Sequence, residues 1–245
     1  MRALRPAFPL NVARLCAALA LALATAASAD AVPQADVPAP QDTPYPGTIT
    51  LKVDASDTAQ GIFRAHETIP VAAGKLTLLY PKWIPGNHSP SGPIDKLAGV
   101  QFSAGGKPLA WTRDKYDVYA FHLDVPDGVS SIDADYQFLS GRARGEGAIR
   151  MTDKLLDLQW NTVVLYPAGH YSRDITYAPS VKLPDGWRHG TALETTAENG
   201  GTVTFKPTML NTLVDSPMYA GEYSRRVDLD PGAKVSVHLD LFGDD

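Results

Sequence analysis

The sequence predicts an all-β protein, an antiparallel β-sandwich that follows a signal peptide and a disordered proline-rich linker. Three observations carry this expectation. Apolar and polar residues alternate at period two in several short runs, which gives a strand one buried and one wetter face. Clusters of Gly, Pro, Asn and Asp separate those runs, and the chain holds 20 Gly and 20 Pro among 245 residues. No window longer than about 12 residues keeps the 3.6-residue period of an amphipathic helix.

In chain order, the first element is a leader. Met1-Arg2-Ala3-Leu4-Arg5 and Arg14 precede the apolar run LCAALALALA, and Ala27-Ser28-Ala29 closes it with a small-x-small end. A basic start, an apolar stretch of about ten residues and such an end form a secretory signal peptide, expected over residues 1–29. The run falls short of the roughly 20 residues that cross a bilayer, so no membrane association is expected after cleavage. Cleavage removes three arginines and Cys16, the single cysteine. The remainder carries 19 basic and 27 acidic residues, a net charge of −8, and no thiol. That balance disfavours nucleic acid as a partner. It also excludes disulfides, thiolate catalysis and Cys-ligated metal. The expected location is exported, periplasmic or secreted.

Residues 30–47 contain Pro33, Pro38, Pro40, Pro44 and Pro46. Proline removes amide donors and fixes φ, so an extended linker is expected, with order from Thr48. The sandwich is expected over residues 48–245. Its clearest strands are Thr48–Val53, Lys75–Tyr80, Val118–Leu123 and Lys234–Leu239. Turns are expected at Ala104-Gly105-Gly106-Lys107, Pro126-Asp127-Gly128, Pro184-Asp185-Gly186, Glu198-Asn199-Gly200-Gly201 and Asp230-Pro231-Gly232. Residues 141–150, GRARGEGAIR, read as an exposed loop.

Catalytic motifs fail one after another. A zinc-hydrolase helix needs His-Glu-x-x-His, and the one His-Glu pair, His66-Glu67, is followed by Thr68-Ile69-Pro70. No serine sits in a Gly-x-Ser-x-Gly elbow, and no phosphate-loop pattern occurs. The carboxylate pairs Asp114/Asp117 and Asp133/Asp135 read as surface charge rather than acid–base partners. His170 or His189 beside a carboxylate would make a third kind of enzyme, which no spacing supports. The expected catalytic and metal-binding sets in this chain are therefore empty.

The most distinctive stretch runs from Leu79 to Asp95, LYPKWIPGNHSPSGPID, with four prolines and two glycines within 13 residues. Such a loop has few unfolded conformations to lose and holds a fixed shape. Two readings stand side by side, a packed corner with Trp83 in the core and a surface that touches a ligand or partner.

Tyr80–Asp95 resembles the N-terminal domain of the glycyl aminopeptidase family of zinc metallopeptidases (peptidase family M-sixty-one). Supporting segments follow in order: GKPLAWTRD from Gly106, Tyr119-Ala120-Phe121-His122, Leu165-Tyr166-Pro167-Ala168-Gly169, and SPMYAGEY from Ser216. The resemblance spans about residues 48–242. It implies a β-sandwich ahead of a thermolysin-like catalytic domain that carries the zinc and its His-Glu-x-x-His ligands. None of those ligand positions maps onto this chain, so no cofactor is expected in it. The chain then looks like the front domain alone, which packs against the catalytic domain in cis and helps wall its cleft. Trp83, Pro85, Gly86, His88 and Tyr219 are the candidate contact residues. Apart from that partner it would show an apolar patch and could self-associate. The alternative is a free-standing exported module that binds peptide or glycan on its aromatic side chains.

Overall fold

The computed structural model describes residues 35–84, 86–140 and 151–243. The expected leader, the start of the linker and the loop at 141–150 lie outside them. Among the described residues the chain forms eighteen strands. They are β1 (Thr48–Asp54), β2 (Ile62–Pro70), β3 (Gly74–Leu79), β4 (Leu97–Ala104), β5 (Lys107–Leu109), β6 (Trp111–Arg113), β7 (Ala120–Val125), β8 (Ser131–Leu139) and β9 (Leu155–Leu158). Then come β10 (Tyr166–Pro167), β11 (Thr176–Lys182), β12 (Arg188–Thr191), β13 (Thr195–Asn199), β14 (Thr202–Phe205), β15 (Thr208–Met209), β16 (Met218–Gly221), β17 (Tyr223–Asp228) and β18 (His238–Gly243). One five-residue α-helix, α1 (Leu210–Val214), is also present among the described residues. The all-β expectation holds. No helix among the described residues is long and apolar enough to cross a membrane.

The large sheet runs β13-β14-β11-β1-β2-β8-β4-β5, with β15 beside β11. Smaller sheets are β10-β3-β7-β6, β12-β16-β9 and the ribbon β17-β18. Alternation sets the inner face strand by strand. Ile49, Leu51 and Val53 of β1, Phe63, Ala65 and Ile69 of β2, and Ile132, Ala134, Tyr136 and Phe138 of β8 point into one core. Leu78 of β3 and Phe121, Leu123 and Val125 of β7 belong to the same core. Phe102 of β4 meets Trp111 and Phe121 edge-on, at 6.1 and 6.5 Å between ring centres, which joins the large sheet to its smaller neighbour.

The antiparallel expectation needs one correction. β1 and β11 pair in parallel, from Thr48↔Thr176 to Asp54↔Lys182. Parallel neighbours need a long crossover, and here more than a hundred residues intervene, so no local turn signal could mark the pair. β11 also carries Pro179, which cannot donate to a ladder. On the far side of β11, β15 pairs with Thr176 and Tyr177 and β14 with Ser180 to Lys182, so the proline falls in the gap between the two.

The turns fall where the sequence places them. Gly105-Gly106 and Gly200-Gly201 both take positive φ, the geometry of tight hairpins. The first strand begins at Thr48. The preceding proline-rich segment, described from Ala35, lies along the domain rather than free of it. Asp36 N–H donates to Asp114, Gln41 N–H to Gly169 O, Tyr45 N–H to Asp174 O and the Tyr45 hydroxyl to Pro70 O.

The last expected strand is displaced. Regular pairing starts at His238, because Leu229 N–H donates to Val237 O and leaves residues 230–236 in the turn.

Candidate functional site

The loop from Pro81 to Asp95 is built from within. Gly92 N–H donates to Lys82 O at 3.0 Å and pinches the loop shut, and Tyr119 hydroxyl donates to Gly92 O at 2.9 Å. The chain passes so close that a Cβ on Gly92 would stand 1.9 Å from Pro81 O. Asn87 N–H donates to Ile84 O and its side-chain amide to Ser91 Oγ. Lys82 meets Asp117 at 3.0 Å and lies over the Tyr119 ring, which ties the loop to the β6–β7 turn. We therefore expect Gly92→Ala to cost roughly 3 kcal/mol or more, because the clash is with backbone that cannot turn aside. Denaturant unfolding followed by Trp fluorescence would show it. A loss below 0.5 kcal/mol would mean that the loop is not pinned there.

This geometry separates the predicted site residues. Trp83 is 64 % exposed, which corrects the packed-corner reading: its ring stands outside the core. It borders a shallow hollow of about 190 Å³ with Pro81, Tyr166 and the α1 residues Leu210 and Val214. Gly86, with φ 80°, and His88 are exposed on the same loop. Pro85 lies outside the described residues. Tyr219 is on a different element, β16, where it is 47 % exposed and stacks on Phe242 of β18. The loop and Tyr219 thus belong to separate surface features.

Asp114 needs a second correction. It sits in a turn, as expected, but it is buried rather than a surface charge. One oxygen accepts the N–H groups of Tyr116 and Asp117, the other accepts Asp36 N–H and meets His122 Nε2 at 2.9 Å. His122 Nδ1 is 3.0 Å from Thr77 Oγ1. The His122 contact first, then the backbone donors, hold the Asp114 carboxyl well below the usual carboxylate range. All four lone-pair directions of the carboxylate are committed, so this Asp–His–Thr chain braces strands β3 and β7, the β6–β7 turn and the proline-rich segment rather than moving protons.

The centre of the molecule holds a polar group that the motif search passed over. Residues 160–165 run through the interior, all of them buried. Buried backbone must find partners. Tyr80 hydroxyl donates to Thr162 O, Tyr136 to Val163 O at 2.7 Å and Tyr177 to Leu165 O. Leu165 N–H donates to Glu67 Oε1 at 2.9 Å, and Tyr136 hydroxyl lies 3.0 Å from the same oxygen. Glu67 is 0 % exposed, its Oε2 has no partner, and burial pushes its carboxyl up to about 8. A signal for it exists in the sequence: Glu67 shares the parity of Phe63, Ala65 and Ile69. His66, one residue earlier, faces outward and meets Asp135 at 2.8 Å.

The remaining histidines are dispersed. His170 Nδ1 meets Thr43 O, and His189 Nε2 meets Thr195 Oγ1 while burial lowers its basicity. His189 lines a polar cleft of about 690 Å³ between β12–β13 and the β17–β18 ribbon. Among the described residues, no three His, Cys, Asp or Glu side chains are grouped so as to hold a metal ion. Zinc thus has no fitting donor set in the described part of this chain.

Comparison with known proteins agrees with the fold. A crystal structure of an aminopeptidase N family protein from Idiomarina loihiensis superposes at TM-score 0.68 and 15 % identity, over 80 % of this chain and 32 % of that one. An M1 zinc metallopeptidase from Deinococcus radiodurans matches at TM-score 0.45 and 15 % identity, over 81 % of this chain and 48 % of that one. The chain therefore spans about a third to a half of the length of these neighbours. No curated protein matches it. Residues 50–222 match the family described as Peptidase M61 N-terminal domain, which takes in all but the first two residues of β1, the strands through β16 and the whole of the loop that suggested the resemblance, and the chain belongs to that family.

Proposed function

We propose that this chain is the non-catalytic front domain of an exported aminopeptidase-like zinc metallopeptidase, and that it packs against the catalytic domain in cis and helps wall its cleft. The observation that carries the reading is the family match over residues 50–222. The Asp114 carboxylate is spent on internal hydrogen bonds, to His122 and to the N–H groups of Asp36, Tyr116 and Asp117. Zinc and its chemistry belong, on this reading, to the catalytic domain. The pinned loop bearing Trp83, Gly86 and His88 supplies a preformed edge to the cleft. The Met1–Ala29 leader directs export.

One preparation tests this. The chain recovered from the periplasm should begin at Asp30, contain no stoichiometric zinc, and leave Gly- and Ala-arylamides uncleaved. One zinc per chain together with turnover would overturn the reading. Saturable binding of a peptide or glycan that disappears in Trp83→Ala would instead make the loop a ligand site.

A further inference from the structure

The β17–β18 ribbon has its apolar residues on the wrong side for a free surface. Its register places Ser224, Arg226, Asp240 and Phe242 on one face. That face looks onto the domain: Asp240 lies against Gly190, where a Cβ would be 2.7 Å from its carboxylate, and Phe242 stacks on Tyr219. The opposite face carries Tyr223, Val227, Leu239 and Leu241, with Arg225 opposite Leu241. Leu239 and Leu241 are 44 % and 48 % exposed. A strand with one side on a domain normally turns its apolar row inward. Here the row that touches the domain is polar apart from Phe242, and the row with Val227, Leu239 and Leu241, broken only by Arg225, faces out. The ribbon begins at Tyr223, one residue beyond the family match. In the Idiomarina neighbour the shared fold accounts for 32 % of the chain, so further polypeptide accompanies it there.

We propose that the outer face of β17–β18 is where a peptidase domain of this family docks, covering Leu239 and Leu241 with an apolar layer. The inference rests on the two-domain reading above and adds the surface. It places the main contact on the ribbon, with the Trp83 loop outside it.

The chain is co-expressed with a family peptidase domain supplied as a separate polypeptide, and the pair is analysed by sedimentation and amide hydrogen exchange. The expected result is a one-to-one complex in which the β17 and β18 amides gain protection. Leu239→Asp combined with Leu241→Asp should weaken it by roughly 100-fold, since charges on a desolvated contact face remove its centre. Both positions are exposed, so the melting temperature of the chain alone stays unchanged. A complex that survives the double substitution, or that protects only the Trp83 loop, overturns the ribbon and leaves the two-domain reading standing. Absence of any complex overturns both. A dimer of the chain alone that the same substitutions abolish makes the occupant a second copy and also overturns the proposal.

Discussion

Stability should fall as pH rises from 4.5 to 8, and Glu67→Gln should flatten that slope. In the folded chain burial raises the carboxyl to about 8, against 4.5 for the free side chain, and no basic group offsets the burial. Between these values the folded state holds a proton that the unfolded state has released. Stability is therefore complete below the unfolded value and is lost as pH climbs through the folded one. At roughly 1.4 kcal/mol per pH unit, Glu67 contributes on the order of 5 kcal/mol to that slope, and Asp157, whose carboxyl burial raises to about 6, adds to it in the same sense. Geometry argues for the same neutral acid. Tyr136 has one hydroxyl proton and two acceptors, Val163 O at 2.7 Å and Glu67 Oε1 at 3.0 Å. If it donates to Val163, the Glu67 contact needs a proton from Glu67 itself. Asp114 acts in the opposite sense at the acid end. Its depressed carboxyl contributes stability above the unfolded value of 3.8, and that contribution is lost as pH falls. The two together place the maximum near pH 4.5. In Glu67→Gln the amide nitrogen takes the place of Oε2, which has no partner, so the variant should be about 1–2 kcal/mol less stable at pH 5. By pH 8 the order should reverse. Denaturant titrations across this range decide it; a wild-type curve that is level from pH 5 to 8 would sink the assignment.

Trp160→Ala should cost roughly 3–5 kcal/mol, a fall of the order of 10 °C in melting temperature. The ring is fully buried, meets Phe205 of β14 edge-on at 5.9 Å, and donates its N–H to Ser216 O at 2.9 Å, just ahead of β16. It therefore joins the large sheet to β12-β16-β9. Truncation opens a cavity and removes one of the two donors to Ser216 O, with Thr191 Oγ1 remaining. Trp83→Ala is the control, expected within about 0.5 kcal/mol because that ring stands outside the core. Equal costs for the two substitutions would show that Trp160 is not the join described.

These contrasts mark how far the sequence can be read. Gly-Gly and Asp-Gly turns were legible because positive φ is a property of the residue itself. So was β1, whose alternation matches a buried face. β18 was legible as a strand but not in position or orientation, since its apolar row faces away from the domain. Asp114 was legible as a turn residue and not as a buried one: His122 lies eight positions away and Asp36 seventy-eight. The pinned loop was legible from its prolines and glycines, whereas its separation from Tyr219 was not.

By itself the sequence determined the class of fold, the turn positions, the absence of any thiol beyond Cys16 and the family. These depend on residue type and on neighbours a few positions apart. The tertiary structure alone decided that β1 lies parallel to β11, that Glu67 is sealed beneath three tyrosine-anchored carbonyls, and which tryptophan is core and which is surface. Those outcomes depend on side chains brought together from distant positions, and solvent exclusion, the quantity that governs them, exists only once the sheets have packed.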